Sequence, residues 1–449
     1  MLSDAYSYTR LGMSWVNHSW LAEVGLALLF RAGGWLAISA VIALFAALMM
    51  GLTYFQMSGP PLFRAFLIVL GCVVAAPVWS PRPQTATLLL LALESLVLWG
   101  YKWRQVDRLW ILPLLFVLWS NLHGGYIIGV GLLGVVMGGE VLNHLLRRQG
   151  DEIISWRRLG RLGLWSLAAL IALGINPNGI QTYLIPFQTV KVQALQQYIQ
   201  EWASPDFHNL IQQPLLVLMV LLLAAVGFSG RKMDAADFLT VSAFGVLALL
   251  AQRNLGPFAL VALPVLARYG WCAVLSWRRD RRATGQSCGE MPYPADPVVR
   301  DRPRWQHWVN LVLILLAVAV AVVKVAAVTQ TDSMLGNEKE IFPAGAVAVL
   351  QAEQPQGNLL NEYNWGGYLL WKLPEYPVFV DGRTDLFGDE IIGQWITLMN
   401  TGEGWQGLIE RYAIHSALIQ PDRPLVNALQ AAGWETRYQD DLSILLVAP

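Results

Sequence analysis

Charge is scarce in this sequence. Only 14% of the 449 residues are Asp, Glu, Lys or Arg, while 55% are hydrophobic; a soluble domain carries about 25% charged residues. The shortfall excludes an ordinary soluble protein and puts most of the chain in lipid. Cysteine is scarce as well. The three are Cys72, Cys272 and Cys288, none lies beyond residue 328, and no disulfide framework is implied. The six histidines are scattered without metal-ligand spacing, and neither GxSxG nor CxxC occurs. Residues 329–449 lack a glycine-rich phosphate loop, which leaves a nucleotide-binding reading without support. The opening stretch "MLSDAYSYTRLGMSWVNHSW" has no basic region followed by an apolar core, so it is not a signal peptide.

What is present is a series of long apolar runs. Ten spans are read, at 34–56, 62–79, 86–101, 108–121, 125–146, 160–175, 213–229, 234–252, 256–275 and 307–328. A single bent helix over 108–146 is the alternative for the fourth and fifth. Alternate loops then differ in charge. One set holds Lys102, Arg104, Arg108, Arg147, Arg148, Arg157, Arg158, Arg161, Arg231, Lys232, Arg278, Arg279, Arg281 and Arg282. The other set holds only Arg10, Arg31, Arg82, Lys191 and Arg253. Basic loops stay in the cytoplasm, so the chain is expected to be a multi-pass protein of the cytoplasmic (inner) membrane with both termini outside. Glu94 and Glu140, the main charges within spans, are placed near cytoplasmic ends, which counts against transport.

Three regions follow: 1–33, an outer loop with an interfacial helix; 34–328, a transmembrane bundle with a cytoplasmic linker at 278–306; and 329–449, an extracytoplasmic domain. Residues 1–328 carry 25 Lys/Arg against 15 Asp/Glu, and 329–449 carry 6 against 16. The acidic domain argues against nucleic acid as a partner. It alternates short elements: "YPVFVDGR" as a buried strand, "DEIIGQWITLMN" and "GWQGLIERYAI" as helices, "HSALIQP" as a strand, "PLVNALQAAG" as a helix ended by Gly433, and "WETRY" with "LSILLVAP" as a closing strand pair. That is a small α/β layer structure.

The polar stretches all map to the outer side. They are the first loop with Asp4, His18, Trp20 and Glu23; "SPRPQ" with Arg82 and Gln84; "WSNLHGGY" with Asn121 and His123; "INPNG" with Asn176; "EWASPDFH" with Glu201, Trp202 and Asp206; and "AQRNLGP" with Arg253. Each has a plain structural explanation. His123 before two glycines is a helix-end residue, Arg82 and Arg253 are snorkelling anchors, and Asn-Pro with Asn-Gly is a turn. Together they suit a substrate with a lipid tail, an anionic phosphate for arginine, and a sugar for Trp and Asn. Arg82 and Arg253 are expected to approach one pocket. Asp381 and Arg383 of "VDGRTD" stand at a strand end, where they either tie the turn or cap that pocket.

The stretches "DAYSYTRLGMSWVNHSWLAEV", "RPQ", "LPLLFVLWSNLHGGYIIG", "INPNGIQTY", "IQEWASPDF" and "YNWGGYLLWKLPEYPVFVDGRTDLFG" resemble the bacterial membrane glycosyltransferases of the GT-C fold. That group includes protein O-mannosyltransferases and aminoarabinose transferases, and the similarity is greatest to an uncharacterised bacterial branch. The resemblance implies a polytopic α-helical membrane protein of about ten spans with a small C-terminal α/β extracytoplasmic domain. It implies sugar transfer from a polyprenyl-phosphate donor to a glycan, lipid or protein acceptor at the outer face. In such enzymes a first-loop Asp or Glu acts as general base. Asp4 matches a later aspartate of that loop, so the first span and the expected base are read as preceding Met1, and activity of this chain without them is in doubt. Unaided translocation of a short N-terminal tail is the alternative.

Under this reading Asp4, Glu23, Glu201 and Asp206 are the acid–base candidates. His18, Trp20, Arg82, Gln84, Asn121, His123, Asn176, Trp202, Arg253, Asp381 and Arg383 are the substrate-binding candidates. No cofactor is assigned, and dependence on a divalent metal is left open. The competing reading is a non-catalytic scaffold or transporter-like protein whose outer domain binds partners.

Overall fold

The computed structural model describes residues 2–146, 153–192, 200–282 and 338–449, with single positions between 308 and 325. The chain divides into two compact units: His18–Pro186 with Gln200–Ala321, and Met1–Asn17 with Phe187–Ile199 and Val322–Pro449. The first is a helical bundle and the second a small α/β structure, as the sequence implies.

The bundle opens with α1, Trp20–Gln56. Its helical geometry fails at Gly33 and Gly34, where Gly34 takes a φ of 57°. A residue with a Cβ resists that angle, so the helix breaks where the sequence separates an interfacial stretch from the first span. Then come α2 (Pro61–Ala75), started by Pro61 in the first turn, α3 (Gln84–Trp103), α4 (Ile111–Leu122), α5 (Tyr126–Leu145) and α6 (Trp156–Ala172). The bent-helix alternative for 108–146 does not hold, because His123 is extended (φ −165°, ψ 144°) and ends α4. Helices Gln213–Phe228, Ala235–Leu250 and Leu255–Arg282 follow.

Nine of the ten expected spans therefore coincide with helices. Among the described residues, five helices are long and apolar enough to cross a membrane: Trp20–Gln56, Pro61–Val78, Gln84–Trp103, Tyr126–Leu145 and Gln252–Arg278. Ile111–Leu122, Gln213–Phe228 and Ala235–Leu250 are apolar but shorter. The tenth span, 307–328, and the linker beyond residue 282 lie outside the described residues, apart from isolated positions.

Lipid is as apolar as leucine, so close packing rather than water exclusion holds such helices together. Small residues permit it. Gly139 of α5 lies directly against the backbone of Ala236, Gly71 of α2 receives Leu263, and Gly256 packs under Val78 and Leu88. The Leu255–Arg282 helix is the most enclosed, with Phe258, Ala259, Leu260, Ala262, Leu263 and Ala267 all buried. By contrast Leu62, Phe66, Val69 and Val73 leave an exposed apolar stripe along α2, which suits lipid contact.

One end of the bundle carries a buried polar cluster. Lys102 Nζ bonds Glu140 and, at 2.8 Å, Asp234. Asn143 donates to Asp234 at 2.9 Å, Arg268 pairs with Asp237, and the Tyr269 hydroxyl accepts from the Asp234 backbone N–H at 2.9 Å. Charges this deep persist only when paired. Arg158 and Tyr101, and Arg161 and Asp107, meet at the same end. Glu94 departs from the expectation of a cytoplasmic end. It sits midway along α3, fully buried, and neither carboxyl oxygen has a hydrogen-bond partner among the described residues.

The α/β unit is built on a four-stranded sheet in the order β3-β4-β6-β5, with β3 Asn358–Asn361, β4 Ile414–Ile419, β5 Glu435–Gln439 and β6 Ile444–Val447. The β3–β4 pair is parallel and the other two are antiparallel. Helices Thr384–Met399, Trp405–Arg411 and Pro424–Ala431 fall where the sequence places them. Leu359, Leu369, Val378, Leu418 and Leu445 form its core. Two expectations need correction. "YPVFVDGR" is not a regular strand: Val378 makes isolated bridges to Leu359 on one side and Ser7 on the other. Residues 2–17 also belong to this unit rather than with α1. They form a hairpin, β1 Leu2–Ser3 with β2 Ser14–Trp15, and bind Val378 through Tyr6 and Tyr8 and the Phe379 carbonyl through Thr9.

Candidate functional site

At the end of the bundle away from the Lys102 cluster, the six polar stretches meet. The turns after α4 and α6 are clipped together by asparagines. Asn121 accepts from the Trp20 indole at 2.9 Å and donates to the carbonyls of Val117 and Ile175. Asn176 donates to the Ser120 carbonyl at 2.8 Å and accepts from its own turn at Asn178. These contacts engage the amides of Asn121 and Asn176 in the scaffold, as the turn explanation anticipates.

Two arginines meet one short turn, Gln200–Trp202. Arg82 Nη1 lies 3.1 Å from Glu201 Oε2, with the two side chains 66% and 35% exposed. The Arg253 guanidinium stacks over the Trp202 ring at 4.3 Å, an arrangement that suits its flat, weakly hydrated cation. Gln84, at the start of α3, donates to the Arg253 carbonyl at 3.3 Å, and Gln252 N–H bonds the Ala203 carbonyl. Arg82, Gln84, Glu201, Trp202 and Arg253 are thus one cluster. Arg82 and Arg253 meet at adjacent residues of this turn.

His18 and His123 face each other with ring centroids 6.3 Å apart. His123 is held at Nδ1 by the Thr87 hydroxyl at 2.8 Å and the Gly125 N–H at 3.1 Å, and Thr87 accepts from the Trp119 indole at 2.9 Å. Loss of hydration, and then the neighbouring charges of His18 and Arg253, bring the His123 pKa down to about 3. Its imidazole is neutral across the physiological range. His18 Nδ1 is buried and without a partner among the described residues. Thr87 and Trp119 escaped the sequence reading. Their one visible signal was a hydroxyl and an indole inside otherwise apolar runs.

The other acidic candidates fall apart from one another. Glu23 is exposed on the first turn of α1. Asp206 is exposed and bonds the backbone and ring of its neighbour His208, which hold its carboxyl below the ordinary value. Asp4 lies in the α/β unit with Asp381 and Arg383. Arg383 reaches Asp4 through Nη1 at 2.6 Å and Asp381 through Nε and Nη2. Ser7 donates its hydroxyl and its N–H to Asp4 as well. Burial pushes the Asp4 pKa up, but the bonds from Ser7 and Arg383 and the Arg383 charge outweigh it, and the net shift is downward. Among the described residues no three His, Cys, Asp or Glu side chains gather as a metal site.

A scan against protein-family models finds no match, and a search of curated proteins finds none either. Among solved structures, the chain is similar to ArnT from Cupriavidus metallidurans, determined bound to undecaprenyl phosphate. The identity is 17%, the TM-score 0.44, and the match covers 95% of this chain and 86% of that one.

Proposed function

We propose that this chain is a membrane glycosyltransferase that takes a sugar from a polyprenyl-phosphate donor and works at the outer face of the cytoplasmic membrane. The observation that carries the reading is the convergence of Arg82 and Arg253 on the Glu201–Trp202 turn. Two cations beside one carboxylate and one indole match an anionic phosphate next to a sugar. The Arg82–Glu201 pair is exposed, and pairs of that kind contribute only about 0–1 kcal/mol. An arriving phosphate can therefore take Arg82 over and leave Glu201 free for proton transfer. Trp202 offers a face to the sugar, and Glu23 and Asp206 are secondary acid–base candidates. The outer location is supported by charge: the opposite end of the bundle carries Lys102, Arg104, Arg158, Arg161, Arg231 and Arg278.

Asp4, Asp381 and Arg383 are given an anchoring role, because each is engaged by the others. Glu94, unpaired among the described residues, lies against Gly129 and Trp119, and neither of them extends a polar path for a transported ion.

The test is binding of a polyprenyl phosphate to the chain in nanodiscs, followed by incubation with a panel of polyprenyl-phosphate sugars. Arg253→Ala removes one charged hydrogen-bonding group, about 1.5–3 kcal/mol or roughly ten- to hundredfold in Kd. Phosphate binding that is indifferent to both Arg253→Ala and Arg82→Ala would sink the proposal.

A further inference from the structure

The hydrogen bonds around His123 determine which nitrogen carries its proton. An indole N–H and a backbone N–H can only donate. Trp119 therefore donates to Thr87 Oγ1 at 2.9 Å, and Gly125 donates to His123 Nδ1 at 3.1 Å. With its oxygen accepting from Trp119, Thr87 turns its own proton toward His123 Nδ1, 2.8 Å away. Nδ1 thus receives two donors and cannot hold a proton itself. A proton on Nδ1 would meet the Gly125 N–H head-on. An imidazolium would meet it too, and would add a positive charge beside Arg253 and His18, the charged and titratable groups that bear on this ring.

The arrangement leaves no room for alternatives. A Cβ on Gly125 would lie 2.5 Å from Thr87 Oγ1 and 2.7 Å from His123 Nδ1, within the hydrogen bond itself. Trp119 is fully buried and Thr87 nearly so, so neither is free to reorient toward water. Nε2 has no hydrogen-bond partner among the described residues, and the side chain is only half-buried.

We propose that Trp119 and Thr87 are positioning residues that fix His123 as a neutral imidazole protonated on Nε2, which donates to a phosphate oxygen of the lipid-linked ligand. The ligand half of this statement rests on the function proposed above; the tautomer stands on the hydrogen bonds alone. A neutral donor complements Arg253. It adds direction without a second charge, and it does not titrate away near neutral pH.

The test is nitrogen-15 NMR of the full chain in nanodiscs with labelled histidine, the His123 signals being assigned by their loss in His123→Gln. The expected pattern is a protonated Nε2 and a bare Nδ1, unchanged from about pH 8 to about pH 5, where an ordinary histidine becomes charged. Thr87→Val leaves the Gly125 N–H as the one donor to Nδ1, so the Nδ1 signal should shift and the preference for Nε2 weaken, and Thr87→Ser should restore the original pattern. A short-chain polyprenyl phosphate should move the Nε2 signal and leave Nδ1 in place. A proton on Nδ1, or an imidazolium forming between pH 7 and pH 5, overturns the tautomer. Polyprenyl phosphate that binds without moving Nε2 overturns the donor role, and an equal response to inorganic phosphate overturns the lipid-linked ligand. No binding at all removes the ligand half together with the proposed function, while the tautomer is judged separately from the apo spectrum.

Discussion

Gly139→Ala is the sharpest perturbation of the bundle. Its added Cβ would lie 2.6 Å from the Ala236 nitrogen and 2.8 Å from the Ala236 Cβ, whereas carbon atoms pack at about 3.5–4.0 Å. The helices Tyr126–Leu145 and Ala235–Leu250 must separate by about 1 Å, because the obstacle is backbone and cannot rotate away. Overpacking of this kind costs about 1–3 kcal/mol. The shift also stretches two bonds that tie the same helices together, from Asn143 to Asp234 at 2.9 Å and from the Ala235 N–H to Asn143 at 3.0 Å. Their loss adds about 2–4 kcal/mol, offset by at most about 1 kcal/mol of helix propensity. The net loss is then about 2–7 kcal/mol. The assay is equilibrium denaturation in mixed micelles, followed by tryptophan fluorescence. Gly138→Ala is the control, since its nearest neighbour would be Leu239 at 4.0 Å. If the two variants unfold at the same denaturant concentration, the close approach of these helices is wrong.

Lys102→Met should destabilise the bundle by about 3–5 kcal/mol, because Glu140 and Asp234 then lack their shared buried cation; the same denaturation measurement checks it, and an unchanged midpoint refutes it. The α/β unit should weaken in acid. The Asp4 pKa is lowered in the folded state from its ordinary 3.8, so its contribution is complete above that value and disappears as pH falls through the lower folded value. Asp4→Asn should remove about 1–3 kcal/mol at neutral pH and flatten this acid dependence. Circular dichroism of thermal unfolding across acid pH would show it, and an acid slope equal in both proteins would refute the assignment.

Most of the helical architecture was legible in the sequence, because a span is a local property. Some twenty apolar residues need no partner to be recognised, and the break at His123, Gly124 and Gly125 follows from residues that cannot continue a helix smoothly. Alternation of sides then brought Arg82, Gln84, Glu201, Trp202, Arg253, His18 and His123 to one end of the bundle, and the cluster around the Gln200–Trp202 turn agrees. The short elements of 384–447 were readable for the same reason, since their periodicity and turn residues are local.

Tertiary structure alone decided the rest. Val378 reads as a strand by composition, but its bridges come from Leu359 and from Ser7, and no local pattern announces a partner near the opposite terminus. Asp4 offered itself as an acid–base residue until Arg383, 379 positions away, was seen to hold it. Glu94 lies midway along the expected span 86–101 as it does along α3 itself, and the packing of Gly129 and Trp119 against its carboxyl shows how deeply it is enclosed. The protonation of His123 depends on Thr87, 36 positions earlier on α3, which the Trp119 indole of α4 holds in turn. Each of these outcomes turns on a distance between groups remote in the chain, and such distances are set only when the helices pack.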